Sequence, residues 1–300
     1  MNQENKLGIL YATVAYLMWG FLPIYWKWID TIPAGEILAH RILWSFVFMV
    51  IVVLVVGKWR PFVDECKVIL HDKKKLIGIS LAAIVISINW LTFIWAVNHD
   101  HVIQSSLGYY INPLVSILLG MLVLKETLTR VQLFSFILAA IGVVNLTVSF
   151  GVFPWISILL AFSFASYGLL KKTVDISAMF GLTVETMIVT PLALVYLFFF
   201  SGESLAGSVM FSGTGLLLAG AGMATAVPLL LFAFGAKKIP LSMVGFLQYF
   251  APTIMLILGV FVYKETFSTA HLISFALIWI ALIIYMGAAQ RRSVRHQAAS

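Results

Sequence analysis

Ten apolar stretches separated by short polar segments run the length of the chain, over residues 7–26, 34–56, 76–97, 103–124, 131–149, 154–170, 177–200, 214–235, 240–262 and 268–288. Their apolar positions do not alternate with polar ones. Alternating segments of about 10 residues would point to a membrane β-barrel. Runs about twice that long predict helices, and about 20 helical residues cross a hydrocarbon core of about 30 Å. The sixth stretch is the shortest and holds Ser157, Ser163 and Ser166; the longest connection is 57–75.

The pattern repeats. Residues 109–141 read YYINPLVSILLGMLVLKETLTRVQLFSFILAAI and residues 248–280 read QYFAPTIMLILGVFVYKETFSTAHLISFALIWI. At an offset of 139 the pairs Tyr110/Tyr249, Pro113/Pro252, Gly120/Gly259, Lys125/Lys264, Glu126/Glu265, Thr127/Thr266, Ser135/Ser274 and Phe136/Phe275 are identical. Earlier in each half the match is looser: Trp19-Gly20 falls against Tyr167-Gly168, Glu36 against Glu185, and Phe93 against Phe232. Internal repetition in an apolar chain is characteristic of transporters built from two similar halves. The reading divides the chain into five-helix units at 7–149 and 154–288 and a basic cytoplasmic tail at 289–300. Five spans per half is an odd number, so the second half enters the membrane from the opposite side. The expected fold is an all-α integral membrane protein of ten transmembrane helices in two inverted-topology repeats.

Composition agrees with a bilayer: 62% of the 300 residues are hydrophobic and 10% are charged, against about 25% charged in soluble domains. The net charge of +7 is no argument for nucleic acid, because the excess sits in short connections and the tail. With the N-terminus placed in the cytoplasm, sixteen of the nineteen Lys and Arg fall on that side, Lys27 and Lys264 fall on the other, and Arg41 lies within a span. That asymmetry places both termini inside. The single cysteine, Cys66, forms no intramolecular disulfide and no metal cluster. The first apolar run is long enough to span and lacks a basic leader, so a cleavable signal peptide is not expected.

Ionisable groups inside a span are costly and tend to face a cavity or a partner. Glu36 and His40 are four apart and share a face of the second span, with Arg41 one step round and about 10 Å below the span's start. They read as an outward-facing charged site for substrate or protons, or as headgroup-region residues with Arg41 snorkelling or paired to Glu36. Glu185 lies roughly 12 Å into the seventh span with no basic residue within a helical turn. Its partner must come from another helix, or it is protonated much of the time; a proton carrier and a neutral hydrogen-bonded Glu are the two readings.

Asn89 and Trp90 sit deep in the third span, Tyr109, Tyr110 and Asn112 precede Pro113 in the fourth, and Gln248 and Tyr249 precede Pro252 in the ninth. Each proline frees the carbonyl four residues back, here those of Tyr109 and Gln248, and freed carbonyls are tolerated at depth where they are buried or line a cavity. Pro228, opposite Asn89, is a third expected helix break. Aromatic faces with a few amides suit an amphipathic organic solute; the same side chains also serve simply to bond neighbouring helices. Lys125-Glu126 and Lys264-Glu265 read as turn and cap elements, their exposed ion pairs worth at most about 1 kcal/mol. His99-Asp100-His101 reads as a solvated loop rather than a metal site. No catalytic or ATP-binding motif is present, so neither an enzyme nor a cofactor is expected, and a gradient would drive any uphill transport.

Several segments resemble the RarD group of the EamA branch of the drug/metabolite transporter superfamily: AHRILWSF (39–46), NWLTFIWAVNHDHVIQSSLGYYINPLVSILLGMLVLKETL (89–128), LTVETMIVTPLAL (182–194) and VPLLLFAFGAKKIPLSMVGFLQYFAPT (227–253). The resemblance runs over residues 7–288 and implies a bacterial inner-membrane permease of two EamA repeats. Members are commonly labelled permease or chloramphenicol-sensitivity proteins. The partners expected are a small organic metabolite or drug and the lipid bilayer; Glu36, His40 and Glu185 suggest protons as coupling ion, with uniport the alternative, and a homodimer stays open. A non-transporting membrane scaffold or sensor, and a channel, are the rival classes.

Overall fold

The computed structural model describes residues 3–29, 31–98, 102–151, 153–200, 211–262 and 268–298. His99-Asp100-His101 and Lys264-Glu265-Thr266 lie outside the described residues. The first half contains α1 (Gln3–Lys27), α2 (Ala34–Val55), α3 (Trp59–His71), α4 (Lys73–Asn98), α5 (Val102–Leu122) and α6 (Arg130–Phe150). The second contains α7 (Trp155–Thr173), α8 (Ala178–Phe200), α9 (Gly213–Lys238), α10 (Leu241–Leu247), α11 (Phe250–Ile257), a π-helical turn (Leu258–Val262) and α12 (Thr269–Ala298). Among the described residues, eight segments are long and apolar enough to cross a membrane: α1, α2, α4, α6, α8, α9, the run Leu241–Val262, and α12. In α5 the apolar helix Leu107–Leu122 is shorter. α7 falls outside both sets; it carries the serines noted above and ends in Lys171 and Lys172.

Three expectations change. The connection 57–75 contains α3, whose Phe62 and Ile69 pack on Val53, Ile79, Ile176, Phe180 and Val184 while Arg60, Asp64 and Lys67 face out. Asp72 then starts α4 by accepting the N–H groups of Lys74 and Lys75 at 2.9 and 3.2 Å. Cys66 lies in α3, where burial and then Glu65 raise its thiol pKa. The basic segment from 289 on is helical, since α12 continues to Ala298; its residues are mostly good helix formers. The prolines do not all interrupt their helices. α5 runs on through Pro113 and α9 through Pro228, since one missing donor leaves the neighbouring rungs of the ladder in place. The ninth span does divide, between α10 and α11. Pro252 offers no N–H to the carbonyl of Gln248, which accepts from Ala251 at 3.3 Å instead.

The end of α5 explains the repeated Lys-Glu-Thr turn. Beyond Leu122 the helix loosens: the Leu124 N–H reaches the Leu119 carbonyl at 3.4 Å and the Glu126 N–H reaches the Gly120 carbonyl at 3.0 Å. Lys125 turns the chain in the left-handed region, φ 54°. Glu126 forms no ion pair with Lys125 among the described residues. Its carboxylate accepts from the Leu241 N–H (2.6 Å), the Ser242 N–H (2.9 Å) and the Ser242 hydroxyl (2.8 Å). α10 begins after Pro240 with no side-chain cap of its own, and Glu126 caps it from the other half of the chain. Gly120 leaves the room, since a Cβ there would stand 2.9 Å from Glu126 Oε2. Thr129 and Gln132 then form a capping box that starts α6.

Packing crosses between the halves. α1 lies on α9 and on α10–α11, while α7 lies on α4 and α5; α2 meets α8 and α9, and α8 meets α2 and α4. α6 packs on α12, where Gly142 faces Ser274 and Asn145 Nδ2 donates to Ser274 Oγ at 3.0 Å. α2 and α9 touch backbone to backbone. A Cβ on Gly222 would lie 2.3 Å from the Trp44 carbonyl carbon, and Ser45 Oγ donates to the Gly222 carbonyl at 3.0 Å. Gly222→Ala is therefore expected to force these helices apart and cost about 1–3 kcal/mol, read as a lower melting midpoint of the detergent-purified protein; an unchanged midpoint would refute this packing.

Candidate functional site

The α7–α8 pair presents a buried ion pair. Tyr167 and Lys171 are four apart on α7 and so share a face. Lys171 Nζ donates to Glu185 Oε1 at 2.7 Å and the Tyr167 hydroxyl donates to Glu185 Oε2 at 3.0 Å. Lys171 is 5% exposed and Glu185 2%. Glu185 thus takes its partner from the neighbouring helix. Lys171 itself was missed in the sequence, where it counts with Lys172 among surface cations. The i,i+4 spacing from Tyr167, opposite a lone carboxylate, is the signal that could have found it.

Beside the pair lies a narrow cavity with room for about one water molecule. Its walls come from both halves: Ile42 of α2, Ile86 and Trp90 of α4, Tyr167 of α7, Glu185 of α8 and Leu229 of α9. Trp90 joins this cavity to a second charged group. Arg41 Cζ sits 5.4 Å from the Trp90 ring and 4.6 Å from the Trp26 ring of α1. Arg41 Nε donates to Thr225 Oγ1 on α9 at 3.0 Å, and Tyr109 of α5 lies close enough to feel the guanidinium charge. Arg41, Trp90 and Tyr109 are therefore brought together, while Arg41 makes no ion pair with Glu36 among the described residues.

Glu36 and His40 are both buried on α2, and neither ring nitrogen of His40 has a hydrogen-bond partner among the described residues. The remaining candidates do different work. Asn89 Nδ2 donates to the Leu160 carbonyl and to Ser163 Oγ, each at 2.9 Å, and so binds α4 to α7. Gln248 exchanges hydrogen bonds with Ser116 at 3.2 and 3.3 Å, joining the α10–α11 break to α5. The Tyr16 hydroxyl points toward Gln248 without completing a hydrogen bond. The Tyr110 hydroxyl donates to the Pro252 carbonyl at 3.4 Å, and its ring stands edge-on to Phe275. Asn112 Oδ1 and the Tyr249 hydroxyl are buried without hydrogen-bond partners among the described residues.

The profile of the EamA-like transporter family matches the chain twice, over residues 6–148 and 153–287. The "Uncharacterized transporter YojE" of Bacillus subtilis (strain 168) is 49% identical over 284 residues, spanning 95% of each chain. "Protein RarD" of Salmonella typhi is 44% identical over 286 residues, 95% of this chain and 96% of that one. A solved structure titled "Crystal structure of protein" shares the fold, with a TM-score of 0.72 at 16% identity over 94% of this chain and 98% of that chain. Long apolar helices enclosing buried charges, with these relatives, define an integral membrane protein of the transporter class. Within that class the chain belongs to the EamA-like transporter family and is of the RarD type.

Removing one member of a buried pair strands the other, at about 3–5 kcal/mol. Lys171→Met and Glu185→Gln are each expected to lower the thermal midpoint sharply, and the double variant to recover most of the loss. Additive losses in that cycle would show that the two groups are not coupled.

Proposed function

We propose that the protein is a secondary transporter that moves a small organic solute, a metabolite or a drug of the chloramphenicol kind, across the bacterial plasma membrane by alternating access. The observation that carries this reading is the buried Lys171–Glu185 pair, whose Glu185 lies on the wall of a cavity shared by both halves. A permanent scaffold gains little from burying opposite charges, because an apolar pair of similar volume is often as stable. A carrier gains a group whose charge changes during its cycle. In this reading a proton reaching Glu185 releases Lys171, and the loss of that proton closes the pair again. Glu36 and His40, buried on α2, form the other titratable station.

The reading takes α1, α2, α4, α5 and α6 as the first five spans and α7, α8, α9, α10–α11 and α12 as the second, with opposite orientation and both termini in the cytoplasm. The exchange of packing partners supports it: α1 on α9 mirrors α7 on α4, and α2 on α9 mirrors α8 on α4. The lysine and arginine asymmetry supports the orientation. α6 and α12, which pack on each other outside the cavity wall, serve as scaffold.

The test compares medium and cytosol by mass spectrometry for bacteria carrying the intact protein, the Glu185→Gln/Lys171→Gln double variant, or empty vector, at matched expression and with low-dose chloramphenicol in the panel. A solute redistributed by the intact protein and not by the variant is the expected result. Redistribution by both would remove the pair from the transport cycle. No redistribution of any compound would count against transport itself.

A further inference from the structure

We propose that Arg41, Trp26 and Trp90 form a seat for the carboxylate of an organic monoanion with a flat apolar body. The assignment rests on the transporter reading and names the class of solute. Among the described residues the ion pairs are Lys67–Asp64, Lys75–Glu65, Lys171–Glu185 and Lys238–Glu4. Arg41 belongs to none of them. It is a half-buried cation with no counter-charge among the described residues, while the fully buried Lys171 is neutralised by Glu185.

The surroundings orient that cation for a ligand. The Thr225 hydroxyl gives its proton to the Ala221 carbonyl at 2.8 Å, so toward Arg41 it acts as acceptor and holds Nε at 3.0 Å. With Nε engaged, the two terminal nitrogens make no hydrogen bond among the described residues. They form the end-on fork that matches the two oxygens of a carboxylate. Trp26 and Trp90 face the guanidinium, and cation–π contacts offset only part of the cost of holding a charge away from water. An arriving anion supplies the rest. The indole of Trp90 continues from Arg41 to the wall of the cavity and offers an apolar face to a flat ring attached to the carboxylate once the transport cycle widens this one-water opening. The charge of the ligand follows from balance. One uncompensated positive charge is neutralised by one negative charge, and a phosphate dianion would bring a second charge for which the described residues around Arg41 show no further cation.

The test uses the purified full chain in detergent with matched acids and amides: benzoate and benzamide, phenylacetate and phenylacetamide, indole-3-acetate and indole-3-acetamide. Binding is read by calorimetry and by the rise in melting midpoint. At least one acid is expected to bind at least about tenfold more tightly than its amide. Arg41→Gln is expected to abolish that preference, and Arg41→Lys to weaken it while keeping its sign. Equal binding of acid and amide, no binding of any acid, or an acid preference that survives Arg41→Gln would overturn the proposal. The acid–amide comparison on the unaltered protein decides the matter even if the Arg41 variants fail to fold. Redistribution of solutes in cells without any acid preference would keep transport and remove the carboxylate seat. Acid binding without redistribution would keep the seat and remove transport.

Discussion

The carboxylate of Glu126 is the point on which the two halves of this protein are fastened. A helix that begins inside a membrane protein starts with N–H groups that have no partner in their own helix, and lipid offers none. α10 begins after a proline with no cap of its own, and the missing acceptor arrives from the far side of the sequence. Other contacts gather at the same place. The Tyr285 hydroxyl of α12 donates to Ser242 Oγ at 3.3 Å, and Lys172 Nζ of α7 donates to the Ile239 carbonyl at 2.6 Å. One carboxylate thus fixes where α5 stops, where α10 starts, and how α7 and α12 approach them.

Much of the architecture was legible because a bilayer leaves few alternatives. Ten apolar runs correspond to the helices and helix segments that form, most with ends within three residues of those read from the pattern. α3 was not legible: its apolar positions are few and its surface is charged, so it looks like a connection until Phe62 and Ile69 are seen packed on α4 and α8. The turns after α5 were legible as turns. The acceptor role of Glu126 was not, because capping across more than 100 residues of chain leaves no local spacing to read.

The site was legible residue by residue but not as an arrangement. Glu185 and Arg41 announce themselves as charges in apolar runs. Which of them is satisfied depends on a neighbour that no single run contains. Lys171 sits at the end of a helix, where a cation ordinarily meets water and helix carbonyls, and three-dimensional packing brings it to Glu185 instead. Asn89 and Gln248, equally conspicuous in the sequence, are occupied with holding helices together. The contrast between a neutralised lysine and an unaccompanied arginine gives the interior two electrostatic characters joined by one indole.

The seam between α2 and α9 has a mechanical meaning. Gly222 brings the two backbones into contact, Ser45 bonds across them, and Arg41 and Thr225 are tied over the same boundary. α2 belongs to the first half of the sequence and α9 to the second. On the other side α4, from the first half, is bound to α7 by Asn89. A motion that swung one half of the sequence against the other would tear both seams. A motion that respects them would carry α2 with α9 and α4 with α7, each pair joining a helix of one half to a helix of the other. On the alternating-access reading, the units that duplicate in the sequence would then not be the units that move.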